Sequence, residues 1–313
     1  MPESLANLVP FESFELASRA VLSLLHQRLG FDLWMMTRTD GQDWIVLQVE
    51  DHGYNVKEGS MFRWADSFCS RMVLGLGPRV APCAQEIPTY AAAPIGRQVA
   101  IGAYIGVPIH NADGSLFGTL CAIDPTPQND LVEKDLPWIE LLSRLLGTIL
   151  VNELKSVAIA RELDQSHQFK QKDALTGLLS QQGWDEAIAT EEARARRYGS
   201  PTCTLMLALD GLRDAEIPVE RTEDHSLIKD ASSIIRKTSR QCDIVAHLGG
   251  GRFAVLACEC DSNGADALTQ NIVNAISQMN ISARIGKAMR NPSLGLLEAV
   301  AEANRQLNAS RLL

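Results

Sequence analysis

The sequence predicts an α+β fold with two domains joined by a long helix. A chain of 313 residues is long enough for two domains with separate cores. Each half contains short apolar runs around turn residues, which indicate β-hairpins at 31–37 with 43–49 and at 243–248 with 253–258. Between the halves, apolar residues recur at steps of three and four, as expected of a helix.

Composition narrows the class of protein. The chain is 46% hydrophobic and 21% charged, which is ordinary for a soluble globular protein. Its formal net charge of -9 argues against general binding to nucleic acid or to an anionic membrane. No apolar run approaches the roughly 20 residues that span a bilayer, and the first residues lack the pattern of a signal peptide. We therefore expect a cytoplasmic protein.

The seven cysteines are scattered, odd in number and mostly within apolar runs: Cys69, Cys83, Cys121, Cys203, Cys242, Cys258 and Cys260. We expect buried free thiols, because cytosolic cysteines stay reduced. Cys258 and Cys260 lack the spacing of a zinc or redox motif, so no metal site is predicted.

The N-terminal half runs from a helix at 11–29 through a hairpin to a second predicted helix at 64–76. It closes with a hairpin formed by 101–109 and 116–124. This order, and above all the segment 104–124, resembles a GAF domain over about residues 10–125. The resemblance implies an antiparallel sheet with flanking helices and a pocket on one face, whose ligand the fold alone does not name.

Four residues are candidates for lining that pocket: Cys69, Arg71, Arg97 and Tyr104. The alternative is that they make ordinary helix and loop contacts. A covalently attached tetrapyrrole is not expected, because GAF domains that carry one usually place His after the attachment cysteine. The three N-terminal cysteines are followed by Ser70, Ala84 and Ala122.

A linker helix is predicted within residues 129–172, with an apolar stripe at Leu142, Leu146, Ile149, Leu150, Leu154 and Val157. A helix of about 35 residues spans about 50 Å. Such a stripe needs a partner, so we predict a homodimer through a parallel two-stranded coil. The alternative is that the first half of the helix packs against the N-terminal sheet, and the two are compatible.

The C-terminal half carries a set of ordered motifs. Asp173-Ala-Leu-Thr-Gly-Leu178 comes first, followed by an apolar strand that ends at Asp210. Arg240-Gln-Cys-Asp243 then precedes a turn of Gly249, Gly250, Gly251, Arg252 and Phe253. In this order they resemble the GGDEF domain of diguanylate cyclases, over about residues 173–311. The resemblance implies a ferredoxin-like palm fold and an enzyme that joins two GTP molecules into cyclic di-GMP.

The acids that bind metal in that family are largely missing. The family has acids at the third and fourth turn positions, where this chain has Gly251 and Arg252. Asp210 matches one metal ligand, but the second acid of that motif is replaced by Leu212. A cation at Arg252 would repel a divalent metal by about 1–4 kcal/mol. We therefore predict a vestigial active site without metal or catalytic residues, in which Asp210 pairs with Arg252.

The family's guanine-reading residues also differ. No Asn lies between Asp210 and Arg240, and Ser180-Gln181 replaces the usual Asn-Arg. The positions that correspond to the family's Asn and Asp are Glu216 or Pro218, and Asp224 or Asp230.

Arg240 and Asp243 match the family's inhibitory R-x-x-D site. The resemblance implies that the Arg binds a phosphate or guanine edge of cyclic di-GMP and that the Asp accepts from guanine N–H groups. The structural alternative is that Asp243 ends a turn and Arg240 caps the preceding helix. We expect both residues near the surface, and His247 on a solvated strand face.

Three functions follow from these motifs. The first is a signalling regulator with a GAF sensor at 1–128, a linker at 129–172 and an inactive GGDEF domain at 173–313 that binds cyclic di-GMP. The second is a protein-interaction module that binds no nucleotide and docks on a signalling partner. The third is an enzyme of altered specificity, or a residual cyclase in a heterodimer. Arg240 and Asp243 favour the first function, and Gly251 and Arg252 oppose the third.

Overall fold

The computed structural model describes residues 9–128, 130–167, 171–210, 212, 222–279 and 281–309. They belong to two compact units, Met1–Ala158 and Ile159–Leu313. Each unit is a mixed α/β structure, so the predicted fold class is confirmed. Within the described residues, no helix is both long enough and apolar enough to cross a membrane.

The first unit is built on a six-stranded antiparallel sheet of order β3-β2-β1-β6-β5-β4. The strands are β1 (Leu33–Asp40), β2 (Asp43–Asp51), β3 (Met61–Arg63), β4 (Val80–Ala81), β5 (Ala103–His110) and β6 (Leu116–Asp124). The helices are α1 (Phe14–Leu29), α2 (Phe68–Val73), α3 (Pro88–Ala91) and the first part of α4 (Leu136–His167).

The helix predicted at 64–76 is shorter than expected. A 3-10 turn at Trp64–Asp66 precedes α2, and Ser67 between them is extended, with φ -79° and ψ 157°. Its hydroxyl accepts a hydrogen bond from the Ser70 N–H at 3.0 Å and so caps α2. The prediction was wrong at this point because apolar spacing carries no information about a serine cap within the run.

The second unit has a four-stranded antiparallel sheet of order β10-β7-β9-β8. Its elements are α5 (Gln181–Tyr198), β7 (Thr202–Leu209), α6 (Thr222–Thr238), β8 (Ile244–His247), β9 (Arg252–Cys258), α7 (Ser262–Ser277), β10 (Ala283–Met289) and α8 (Leu296–Ala309). From β7 to β10 this is the β-α-β-β-α-β order of a ferredoxin-like fold.

Alternation along β7 sends side chains to two separate cores. Leu205 and Leu207 face a core that contains Ile235 of α6 and Ile272 of α7. Met206 faces the other core, with residues of α5 and α8. Because successive strand residues point to opposite faces, both faces of this sheet are covered by helices.

The first half of α4 packs on the sheet of its own unit. Ile139, Leu146 and Leu150 are buried, and the Ser143 hydroxyl donates to the Pro108 carbonyl of β5 at 3.0 Å. The alternative given for the linker is therefore right for this half. This packing also shows that the predicted coil interface is wrong at two positions, because Leu146 and Leu150 are already buried against their own chain.

Candidate functional sites

The turn between β8 and β9 requires glycine. Gly249 and Gly250 have φ of 93° and 55°, in the left-handed region that residues with a Cβ rarely adopt. The Arg252 N–H donates to the Gly249 carbonyl at 3.1 Å, and the Leu248 N–H donates to the Arg252 carbonyl at 2.9 Å. The turn therefore fixes Gly251 and Arg252 beside the end of β7.

His247 is buried, which corrects its prediction as a solvated residue. Its Nδ1 lies 2.9 Å from Asp173 Oδ1, and its Nε2 lies 2.9 Å from the Gly250 carbonyl oxygen. The motif that begins at Asp173 lies beside His247 because the next residue after it, Leu179, pairs with β8, where the His247 N–H donates to the Leu179 carbonyl at 2.8 Å. Burial raises the pKa of Asp173, but hydrogen bonds from Thr176 and His247 outweigh it and hold that pKa below its ordinary value.

The place of the missing turn acid is filled by a leucine. A Cβ built on Gly251 would lie 3.0 Å from Leu212 Cβ and 3.2 Å from the Leu209 carbonyl oxygen. Leu212 packs against the core formed with α6 and α7. Two positions that carry acids in the cyclase family therefore form an apolar contact here.

Asp210 pairs with Arg284, and the predicted partner Arg252 is wrong. Arg284 Nε donates to Asp210 Oδ1 at 2.8 Å, and the Ser282 hydroxyl donates to Oδ2 at 2.7 Å. Arg252 Nη2 donates instead to Asn304 Oδ1 at 3.0 Å. The pairing of β10 with β7 places Arg284 opposite Ala208, which brings its guanidinium to the strand end where Asp210 lies.

Across the described part of the chain, no group of three or more His, Cys, Asp or Glu side chains is arranged to hold a metal ion. Asp210 is already held by a guanidinium and a hydroxyl. A Mg²⁺ site needs several oxygen ligands that are free to bind the ion.

The positions that correspond to the family's guanine-reading residues do not form a site within the described residues. Ser180 caps α5 by accepting from the Gly183 N–H at 3.3 Å, and Gln181 bonds Asp185 on the same helix at 2.9 Å. Asp230 is exposed on α6. Glu216, Pro218 and the side chain of Asp224 lie outside the described residues.

Asp243 is buried, at 1% exposure, and not near the surface as predicted. Its Oδ2 accepts from the Arg240 N–H at 2.8 Å, and the Asp243 N–H donates to the Arg240 carbonyl at 3.2 Å. Arg236 adds a bond from Nη1 to the Asp243 carbonyl at 2.9 Å. Burial raises the pKa of Asp243, and the hydrogen bond from Arg240 only partly offsets this. The carboxylate thus closes the turn after α6, as the structural alternative proposed.

Arg240 is exposed at the same turn, in agreement with its predicted surface position. A Cβ built on Gly264 would lie 3.5 Å from Arg240 Nη2, so the guanidinium lies beside the first turn of α7. Helix N-termini and guanidinium groups both favour anions.

The first unit contains a cavity of about 250 Å³ between its sheet and the segments around α2. Cys69 and Tyr104 line it, whereas Arg71 and Arg97 are not among its lining residues. Arg71 donates to the carbonyl oxygens of Ala65 and Ser67, which is the helix and loop role given as the alternative. Arg97 is exposed at the end of a 3-10 turn.

The cavity wall is mostly apolar and aromatic, with Trp44, Phe62 and Phe68 among its residues. Asn55 and Gln98 also line it and are exposed, so they mark its edge toward solvent. Sequence reasoning missed Trp44, because its place in the wall depends on the pairing of β1 with β2.

Each of the two units matches a known protein family. The chain contains a GAF domain at residues 13–150, followed by a diguanylate cyclase GGDEF domain at residues 170–313. It is therefore a signalling protein of the GAF–GGDEF type, and the two predicted resemblances are confirmed.

Particular relatives include enzymes of cyclic di-GMP metabolism. The chain is 26% identical over 125 residues to the cyclic di-GMP phosphodiesterase NbdA of Pseudomonas aeruginosa, an alignment that covers 39% of this chain and 16% of the relative. It is 21% identical over 305 residues to the diguanylate cyclase DgcP of Escherichia coli, covering 95% of this chain and 86% of the relative. The GGDEF domain of DgcB from Caulobacter crescentus in complex with c-di-GMP matches 45% of this chain and 88% of its own, at 21% identity and a TM-score of 0.41.

Proposed function

We propose that this chain is a signalling regulator whose GGDEF domain has no diguanylate cyclase activity. The observation that carries the proposal is the contact of Leu212 with Gly251, where the cyclase family has two acids. The ion pair of Asp210 with Arg284 supports it, because the remaining acid is neutralised by a cation on the neighbouring strand. Two-metal phosphoryl chemistry needs carboxylates that are free to hold the metals.

The test is incubation of the purified chain with GTP and Mg²⁺ or Mn²⁺, followed by chromatography. An active GGDEF cyclase in the same buffer is the positive control. We expect only GTP from this chain. Formation of cyclic di-GMP at a turnover comparable to the control would refute the proposal and restore the residual cyclase as the leading function.

A receptor role for cyclic di-GMP is the second candidate, and the exposure of Arg240 beside the start of α7 favours it. In this arrangement Arg240 binds a phosphate or guanine edge. Asp243 acts through the turn, because its carboxylate already accepts the Arg240 N–H. The receptor therefore depends on Arg240 for contact and on Asp243 for position.

Calorimetric titration with cyclic di-GMP in the presence of a chelator tests this candidate. Arg240→Ala should weaken binding about 30- to 150-fold, because it removes charge-assisted hydrogen bonds of about 2–3 kcal/mol. The exposed Lys237 of α6 provides a matched control, since Lys237→Ala removes the same charge one turn earlier. Unlike Arg240→Ala, Asp243→Asn should also lower the melting temperature. No binding at about 100 µM ligand would favour the interaction module instead.

The expected partner on the linker helix is a second copy of the chain. Exposed residues of α4 follow one another at steps of four and three: Leu141, Leu145, Thr148, Asn152, Lys155 and Ile159. We call this line the α4 seam. The alternating steps are those of a coiled-coil interface, and an Asn at an a position, which Asn152 would occupy, favours two strands. This line of residues replaces the predicted stripe through Leu146 and Leu150 as the dimer contact.

A further inference from the structure

Two cysteines from different elements face one cavity in the GAF domain. Cys69 lies on α2 and Cys121 on β6, and both line the cavity of about 250 Å³. Each residue is 1% exposed to bulk solvent. Both also belong to one buried cluster with Tyr104, so the pair differs from a lone buried cysteine.

Hydroxyl groups surround the two sulfurs. The Tyr104 hydroxyl donates to Cys69 Sγ at 3.4 Å, and the Thr119 hydroxyl donates to Cys121 Sγ at 3.8 Å. Thr119 is in turn 2.8 Å from the Thr37 hydroxyl, which accepts from the Trp44 indole N–H at 2.9 Å. This buried polar network keeps both sulfurs in fixed positions at the cavity wall.

The surroundings distinguish the two thiols. Burial raises the pKa of Cys69, but hydrogen bonds from Cys121, Thr119 and Tyr104 outweigh it and lower that pKa. The hydrogen bond to Cys69 and burial both raise the pKa of Cys121, and burial raises that of Tyr104. The Tyr104 hydroxyl that donates to Cys69 Sγ at 3.4 Å would stabilise a thiolate there, so Cys69 rather than Cys121 is assigned as the nucleophilic sulfur.

The cavity also suits a small uncharged oxidant. Its wall is mostly apolar, and Asn55 and Gln98 at its edge are exposed, which gives a route from solvent. By contrast, burial raises the pKa of Cys203 to about 12 and also raises the pKa values of Cys258 and Cys260 in the other unit. These thiols serve as internal references of low reactivity.

We propose that Cys69 and Cys121 form a peroxide-sensing dithiol that closes to a disulfide inside the GAF cavity. The Cys69 thiolate attacks one oxygen of the peroxide, the O–O bond breaks, and a sulfenic acid forms with release of hydroxide. The Cys121 sulfur then attacks the Cys69 sulfur, the S–O bond breaks, and the Cys121 proton leaves with the hydroxyl group as water. In sum, two thiols lose two electrons and hydrogen peroxide is reduced to two molecules of water.

The reaction joins α2 to β6 across the cavity. Because the two elements lie on the cavity wall, oxidation should change both the shape of the cavity and the freedom of α2. This proposal concerns the GAF domain and does not depend on whether the GGDEF domain binds a nucleotide.

Peptide mapping of the full chain tests the proposal directly. The protein is treated with hydrogen peroxide, free thiols are alkylated, and the trypsin digest is analysed without reduction. Cys69, Cys83 and Cys121 fall in separate tryptic peptides, 64–71, 80–97 and 98–134. We expect a linkage between 64–71 and 98–134 that a reductant removes. Recovery of both cysteines as alkylated thiols, or a linkage to 80–97 instead, would overturn the proposal.

Variants separate the two roles. Cys121→Ser should leave a Cys69 sulfenic acid that dimedone traps, whereas Cys69→Ser should leave Cys121 as a thiol. Tyr104→Phe keeps the aromatic packing but removes the donor to Cys69, so oxidation should be about fivefold slower. Cys83→Ser is the matched control and should oxidise at the parent rate. Equal rates for Tyr104→Phe and the parent would show that Tyr104 does not activate Cys69 and would overturn this assignment.

Discussion

Arg161 of α4 forms a two-point ion pair with Glu191 of α5. Its Nη2 contacts Glu191 Oε1, and its Nε donates to Oε2 at 3.3 Å. The side chain of Glu191 is only 2% exposed, and that of Arg161 is 11% exposed. Arg194 also donates to Glu191 at 3.1 Å. The last turns of the linker helix are thus fixed to the GGDEF domain by a buried carboxylate with two cationic partners.

Replacing Arg161 should therefore destabilise the second unit. Arg161→Ala leaves the buried Glu191 paired with Arg194 but without its two-point partner, which should cost about 3 kcal/mol of unfolding free energy. Arg305→Ala on the exposed face of α8 removes a surface pair and should have a smaller effect. Urea unfolding read by deuterium uptake in peptides of α5 measures both. Equal effects of the two variants would contradict a buried ion pair.

Restoring the turn acid should damage the fold without restoring activity. Gly251→Asp places a Cβ about 3.0 Å from Leu212 Cβ, a distance at which one of the two must shift. The expected loss of stability is about 1–3 kcal/mol. Adding Leu212→Gly, which removes the Cβ that the new side chain meets, should recover part of that loss, a coupling that a double-mutant cycle measures. Additive effects in the cycle would argue against contact between the two positions.

The Glu192–Arg290 pair should make stability depend on pH. Glu192 accepts from Arg290 at 2.9 and 2.6 Å and from the Leu296 N–H at 2.7 Å. Burial raises the pKa of Glu192, but these partners lower it below the ordinary value of 4.5. Because folding lowers the pKa of Glu192, its ionised carboxylate stabilises the fold fully at pH values above the ordinary pKa of 4.5. This stabilisation is lost as the pH falls through the folded-state pKa.

Glu192→Gln should accordingly lower stability at pH 7 by about 2–3 kcal/mol, because Arg290 remains buried without its charge partner. The difference from the parent should shrink as the pH falls below about 4.5. Urea midpoints measured from pH 7 downward test this, with Glu298→Gln on the exposed face of α8 as the control. A difference that stayed constant with pH would assign the effect to packing.

Charge placed on the α4 seam should separate the dimer. Leu145→Glu puts a carboxylate at an exposed apolar position, where the parent side chain is 53% exposed. We expect light scattering to give about twice the 34.2 kDa chain mass for the parent and about the chain mass for the variant. Ala189→Glu on the exposed face of α5 is the control and should leave the parent mass. A parent that is monomeric at tens of micromolar would refute the dimer.

The sequence by itself determined the elements and the family. Alternation along β7 and β9, the glycines of the turn and the helical spacing of α4 are local patterns, and each needs only a few neighbouring residues to be recognised. The order of the motifs then identified the GAF and GGDEF domains. The replacement of acids at Gly251 and Leu212 was likewise visible without a structure.

The tertiary structure alone decided which side chains meet. Asp210 and Arg284 are 74 residues apart, and the register of β10 on β7 brings them together. The burial of Asp243 and the placement of Cys69 and Cys121 on one cavity wall depend in the same way on how distant segments pack. Local spacing does not encode these contacts, because the fold selects them by filling its core and satisfying buried polar groups along the whole chain.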